Sequence, residues 1–473
     1  MARSAVRDSS NSGGIAGLFR FAERGTTLRT ELLAGLTTFV VMAYIIFVNP
    51  AILSGGPLEG VGPPFAATLT ATCLSAAVAC IAMGLYTNYP FALAPGLGLN
   101  AVVAFQLILG LGMPWQAAMG VIFLEGLLIT LLVLTGFRSA VMNAVPLTLK
   151  RAISVGIGLF ILFIGLNNAG FVQRGPEGGT PIALGNLTTF PVLLAALGLL
   201  LTLFFAARQF KAALIIGIGA TTIIGILAHY LFGADTTNAV PGVQGALPTQ
   251  LQGPSFETIG QGINLQVFSL VGPITAALVI FSLMLSDFFD TMGTVVGVGE
   301  QAGFVDEKGE LPGAQRVLLV DSLAAIVGGA FSASSVTSYI ESASGVSAGG
   351  RTGLTAVVVG VLFLVSILLA PLAGVVPSEA TAPALIIVGF LMCGALRDID
   401  FTNLEDGFPA LLTMTIMPFT YSITDGIGAG FIAYAFIKLA LGKAREVHPL
   451  LWGVALAFVV YFLIPLLRQQ FGV

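Results

Sequence analysis

The residues of this chain best placed to do chemistry are carboxylates set in apolar sequence: Asp287 and Asp290 in LVIFSLMLSDFFDTMGTVVGVG, and Glu341 in SSVTSYIESASGVSAGG. An ionised carboxylate in hydrocarbon costs several kcal/mol or more, so acids at that depth line a cavity, pair with another group, or carry protons. Asp287, Asp290 and Thr294 follow an i, i+3, i+7 spacing that brings them near one face of a helix. Two carboxylates side by side in low dielectric cannot easily both be ionised, so their titrations are expected to be coupled. Asp290, followed by Thr291, Met292, Gly293 and Thr294, is read as the acid on the deeper polar face. Asp287 is read as a structural acid bonded to a neighbouring hydroxyl.

Glu341 follows TSYI, a run suited to a short extended strand, and precedes SASGVSAGG, small enough to start a helix packed against others. Helix N-terminal amides there would favour anions and acceptor groups. A capping glutamate is the alternative, but a simple cap belongs at the water interface. Earlier in the chain, NYPFALAPGLGLNAVVAF offers Pro95, Gly96, Gly98 and Asn100. Pro and Gly break the chain and expose amide donors, while the Asn side chain both donates and accepts. Tyr44 and the pair Asn49 and Pro50 are weaker candidates, with packing and helix termination as the plain account.

Other chemistries find no residues to carry them. The only histidines are His229, near a span end, and His448, in a loop, so neither a His-rich metal site nor a Ser-His-Asp triad is readable. Cys73, Cys80 and Cys393 lie in apolar segments without a CxxC pair and read as buried thiols. Neither cofactor nor metal is expected, and proton handling would rest on carboxylates.

The elements that position these residues must cross a membrane. With 56% hydrophobic and 9% charged residues over 473 positions, the chain lies far from the soluble average of about 25% charged, and it reads as a polytopic membrane protein. A net charge of -4 is too small to suggest nucleic acid. The N-terminal stretch MARSAVRDSSNSGGIAGLFRFAERGTTLRTE has no long apolar core before a small-residue cleavage site, so the first span is expected to direct insertion. About 20 apolar residues cross a bilayer. Spans are predicted at 32–54, 65–86, 115–136, 149–172, 189–207, 212–233, 269–297, 317–333, 352–375 and 381–396.

Two further stretches, 88–107 and 335–350, each begin extended, meet Pro or Gly and then turn helical. Broken backbone of this kind is tolerated in a membrane only where protein or a wet cavity surrounds it. Each is the third hydrophobic segment of its half, and interrupted segments in matched positions point to the binding site of a transporter built from inverted repeats. Loop charges fall on one side if the N-terminus is cytoplasmic: Arg20, Arg24 and Arg29, then Arg138, Lys150 and Arg151, Arg208 and Lys211, Arg316, and Arg397. In the tail, 406–422, 424–441 and 449–469 are three apolar segments where a seven-plus-seven plan leaves room for two, so the first two form one broken or hairpin unit or the count differs.

NYPFALAPGLGLNAVVAF, LSDFFDTMGTVVGVGEQAGF and SSVTSYIESASGVSAGGRTGLTAVVVG together closely resemble the signature regions of adenine/guanine/hypoxanthine permeases, the AzgA-like branch of the nucleobase–ascorbate transporter family. The resemblance runs from about Phe21 to about Leu467. It implies an all-α polytopic protein of about fourteen spans in two inverted seven-span repeats, with short antiparallel β-strands in the third and tenth spans. The expected plan is a tail over 1–30, a core domain from 31–137 and 269–376, a gate domain from 145–233 and 378–469, and a polar linker at 234–268.

By motif, the resemblance assigns Asp290 to contact with the base or proton relay, Glu341 to base binding, and Asn100 to the third-span asparagine of this branch. Gly96, Ser342 and Phe289 complete the candidate substrate-binding set, and Asp290, Glu341, Asp287 and Thr294 the proton-coupling set. Thr294 stands where uracil-type relatives carry a histidine, and Ser342, Ala343 and Ser344 replace the Asn-rich run of xanthine- and urate-type relatives. The expected function is proton-coupled import of purine bases across the plasma (inner) membrane by alternating access, in a homodimer. The alternatives are a pyrimidine or xanthine/urate permease, or an anion carrier of the same fold, for which Arg351 is the nearby cation. An intramembrane enzyme or a channel fits less well.

Overall fold

The computed structural model describes residues 14–136, 144–176, 179–232, 253–305, 311–369 and 375–471. Arg138 and most of the linker predicted at 234–268 lie outside them, as do residues 370–374 of the span predicted at 352–375. Ten helices among the described residues are long and apolar enough to cross a bilayer. The chain is a mostly helical polytopic membrane protein.

In chain order, the first span is two helices, α1 (Leu28–Met42) and α2 (Ile45–Ser54), with Tyr44 at the break. Helix α3 (Phe65–Thr87) follows Pro64, and its last turn ends on Asn88 in the left-handed region at φ 55°. Next come strand β1 (Leu93–Pro95) and helix α4 (Leu97–Ala101), which widens into π-helical turns over Val102–Gly110. Helices α5 (Trp115–Thr135) and α6 (Leu147–Asn168) start directly after Pro114 and Pro146. Proline lacks an N–H and presets φ, so it belongs at a helix start, where that donor has no partner anyway. A hairpin of β2 (Val172–Arg174) and β3 (Ile182–Leu184) joins α6 to α7 (Phe190–Ala207), an element with no counterpart in the sequence reading.

Helix α8 (Ala213–Phe232) ends the first half of the described chain. The second half opens with α9 (Pro273–Ala302), a continuous helix of 30 residues, and α10 (Ala314–Phe331). Strand β4 (Val336–Ser338) and the short helix α11 (Ser342–Ser347) follow, then α12 (Gly353–Ser366) and α13 (Ser378–Met392). The tail forms three separate helices, α14 (Leu404–Thr420), α15 (Ile423–Ala440) and α16 (Pro449–Phe471). The first two are distinct antiparallel helices that turn at Tyr421, a left-handed residue at φ 54°. They are two helices and not a single broken one.

The two interrupted stretches meet. Strands β1 and β4 pair antiparallel, Leu93 with Ser338, Ala94 with Thr337 and Pro95 with Val336. Gly96 N donates to Ser335 O at 2.9 Å, and Tyr339 N donates to Ala92 O at 2.9 Å, extending the ladder at both ends. Neither segment could satisfy its extended backbone alone in a dry interior, so each provides the other's partners. Close helix packing surrounds them: a Cβ on Gly84 of α3 or on Gly353 of α12 would strike the backbone carbonyl of the other, so only glycine permits this crossing.

Candidate functional site

The strand crossing ends in two helix starts, α4 after Pro95 and α11 after Glu341, and the space in front of them is a cavity of about 100 Å³. Its polar wall is made by Tyr44 from the break in the first span, Ser286, Asp290 and Thr294 from α9, and Ser338, Tyr339 and Glu341 from the second interrupted segment. Gly96 to Leu99 form its floor, while Ile157 of α6 and Val388 and Met392 of α13 form an apolar wall. A larger cavity of about 260 Å³, between α2, α6, α7 and α13, holds Glu379 and Ser378 but no interrupted backbone. The smaller one, which gathers the carboxylates and the interrupted backbone, is the candidate site.

Glu341 occupies the position before α11, yet its side chain makes no capping bond. Instead its Oε1 accepts a hydrogen bond of 2.7 Å from the Tyr44 hydroxyl. The Tyr339 hydroxyl donates to Pro95 O and so joins the two interrupted segments, while Tyr44 ties the second of them to the first span. Gly96 and Gly98 sit where side chains would intrude: a Cβ at Gly96 would lie 2.8 Å from Thr337 Cγ2, and one at Gly98 2.5 Å from Ile157 Cγ2.

Several expected site residues lie elsewhere. The face of α9 that meets the cavity carries Ser286, Asp290 and Thr294, spaced by four. Asp287 is turned about 100° from Ser286 by the helical period. It is buried with Ser335 Oγ donating to its Oδ2 at 3.3 Å, away from the cavity. Phe289 does not line the cavity either; its ring lies 5.6 Å from Lys150 Nζ and packs on Phe288. Asn100 is fully buried one turn into α4, beyond the glycine floor, and neither its Oδ1 nor its Nδ2 has a hydrogen-bond partner. Ser342 accepts from Ala92 N at 2.9 Å and so ties the first interrupted segment to α11 without facing the cavity. For Asp287, Asn100 and Ser342 the residue type fits a site, but the residue just before it, Ser286, Leu99 or Glu341, takes the place in front.

The sequence reading missed residues that the same rule would have found. Glu125, in VIFLEGLLIT, and Asp321, in RVLLVDSLAA, are carboxylates in apolar runs, and both are buried. Asp321 Oδ1 accepts from Ser338 N at 2.9 Å and from Ser338 Oγ at 2.7 Å, and its Oδ2 accepts from Thr291 Oγ1 at 2.8 Å. It thereby fixes the strand that ends in Glu341. Glu31 is buried too, accepting from Arg351 N at 2.8 Å and Thr355 Oγ1 at 2.6 Å. Asn49 donates to Thr72 Oγ1 and Ala333 O and is structural. Arg351 donates to Val346 O and Gly350 O and is not among the cavity's lining residues.

Compared with known proteins, residues 29–429 match the family model described as Permease family. The chain is 42% identical to the adenine permease AdeP of Escherichia coli strain K12, covering 97% of this chain and 98% of that one. The chain belongs to this permease family. The guanine/hypoxanthine permease PbuG of Bacillus subtilis strain 168 is 44% identical, over 94% of this chain and 98% of its own. Among solved structures, the transmembrane domain of the cyanobacterial bicarbonate transporter BicA is similar, with a TM-score of 0.59 and 19% identity over 85% of this chain and 97% of that one. This permease therefore shares a fold with an anion transporter. Among the described residues, no Lys, Arg or His lines the cavity between its interrupted segments.

Proposed function

We propose that this permease imports purine nucleobases together with protons, by alternating access. The observation that carries the reading is the pair Asp290 and Glu341 facing one cavity at a crossing of broken backbone, with a tyrosine donor and no cation among the lining residues. A purine base is flat and neutral, with N–H donors and ring-nitrogen acceptors on its rim. Two carboxylates and the amides around Gly96 suit that rim, and Ile157, Val388 and Met392 suit its faces. A fixed anion would instead call for a basic residue, whose absence from the lining weighs against an anion carrier despite the shared fold.

The cavity, at about 100 Å³, is narrower than the roughly 300 Å³ of a drug-sized ligand site, and withdrawal of the apolar wall would widen it for a base. That wall belongs to α6 and α13, within the segments assigned to a gate domain (145–233 and 378–469), while the polar wall belongs to a core domain (31–137 and 269–376). Relative motion of the two, in a plan of fourteen spans and two inverted repeats, is the proposed transport step. Asp290 and Glu341 are the proposed base-binding and proton-coupling acids, Thr294 an adjoining hydroxyl, and Asn100, Ser342 and Asp287 supports behind them. The proposed setting is the inner membrane, N-terminus cytoplasmic, as a homodimer. Uptake of radiolabelled adenine and hypoxanthine into cells expressing the chain, with and without a protonophore, tests this. Saturable uptake, competed by the unlabelled bases and lost with the protonophore, is expected; uptake that ignores the protonophore removes proton coupling, and no uptake removes the purine assignment.

A further inference from the structure

Behind the strand crossing, on the side away from the base cavity, a second group of carboxylates comes together from three helices. Glu125 of α5, Asp287 of α9 and Asp321 of α10 are all buried, and strand β4 lies against them with its hydroxyls. The three do not have equal surroundings. Asp321 is saturated by Ser338 and Thr291. Asp287 has one bond, a long one from Ser335, and its Oδ1 has no partner. Glu125 is 0% exposed and lies against the Asp287 carboxyl and the Ser335 hydroxyl, yet neither of its oxygens has a partner of normal geometry.

Among the described residues, the titratable groups beside Glu125 are Asp287 and Asp321, with the hydroxyls of Ser335, just before β4, and of Thr337 within it. No Lys, Arg or His forms an ion pair with Glu125 or Asp287 among the described residues. Two adjacent carboxylates buried without a cation repel one another and leave acceptor lone pairs facing acceptor lone pairs. One proton removes both faults, because the protonated carboxyl then donates to the other.

We propose that Glu125 and Asp287 share a proton, forming a proton-binding site behind the strand crossing and separate from the cavity of Asp290 and Glu341. Asp321 lies beside this pair and is bonded to Ser338 of the cavity lining, while neither Glu125 nor Asp287 lines the cavity itself. The site rests on the buried geometry and not on the purine reading, so a failed uptake assay leaves it standing.

Infrared spectroscopy of the purified protein in lipid, without any base, tests it. The carbonyl stretch of a protonated carboxyl is expected at neutral pH, and Glu125→Gln should remove one such band, because the amide N–H replaces the shared proton and leaves Asp287 ionised. Glu125→Asp, which keeps a carboxyl, should shift the band without losing it. Glu125→Leu, which gives Asp287 no donor, should melt at a lower temperature than Glu125→Gln. A spectrum unchanged by Glu125→Gln overturns the proposal. So does a wild-type melting temperature that rises with sodium and loses this dependence in Glu125→Gln, which would make the pair a metal-cation site.

Discussion

The Tyr44 hydroxyl donates to Glu341 Oε1 at 2.7 Å, joining residues 297 positions apart. One comes from the break in the first span, the other from the turn between β4 and α11, and each lies at a point where regular backbone stops. The bond leaves Glu341 with a second oxygen free to accept from a ligand, while fixing the direction of the carboxylate. A hydrogen bond to a charged group contributes about 1.5–3 kcal/mol. Tyr44→Phe keeps the ring and loses the donor, so purine affinity should fall by roughly tenfold or more, measured as the concentration of half-maximal uptake. Affinity equal to wild type would show that Tyr44 does not position Glu341.

Glu341→Gln should abolish or severely reduce purine uptake while the protein still reaches the membrane. A carboxylate that can accept two base N–H groups becomes an amide with one acceptor and one mismatched donor. Quantitative blotting of membranes alongside uptake separates lost binding from lost protein.

Asp290→Asn should flatten the pH dependence of whatever transport survives, because Asp290 faces the cavity and Asp287 does not. Asp287→Asn should leave the pH profile of uptake in place, since its amide keeps an acceptor for Ser335 and offers Glu125 an N–H in place of the shared proton. A flat profile in Asp287→Asn beside a normal one in Asp290→Asn would reverse these assignments.

Gly98 has no room for a side chain in this arrangement, with Ile157 Cγ2 2.5 Å from where a Cβ would stand. Gly98→Ala should therefore hold α4 and α6 apart and slow transport severely without loss of membrane protein. Ile157→Ala, which removes the clashing methyl, should restore part of the rate in the double variant. A double variant no better than Gly98→Ala would locate the defect somewhere other than this contact.

Asp321→Ala removes three hydrogen bonds that fix β4 and leaves the Ser338 amide buried without an acceptor. Leaving a buried donor without its acceptor costs about 1–3 kcal/mol, so a fall in melting temperature is expected together with lost uptake. Asp321→Asn, which keeps one acceptor, should be less damaging by the same thermal measurement.

By itself, the sequence determined the membrane setting and the two interrupted segments that come together. Long apolar runs can only be helices in a bilayer, because the backbone must satisfy itself there, and ten of the described helices have that character. The broken segments around Pro95 and Glu341 were legible for the same reason, since Pro, Gly and a carboxylate are costly in hydrocarbon unless something answers them. What composition could not give was the direction of each side chain. Asp287 and Asp290 differ by three residues, yet one meets the cavity and the other meets Ser335, because α9 is wedged between the cavity and α5 and the packing on both sides decides its rotation. Asn100 and Ser342 likewise have the right chemistry one turn or one residue too far along. The pairing of Tyr44 with Glu341, the hold of Asp321 on Ser338 and the approach of Glu125 to Asp287 all join residues distant in the chain. Only the tertiary structure decided them, because hydrogen bonds between helices depend on where the helices cross, and a single sequence states its residues but not its crossings.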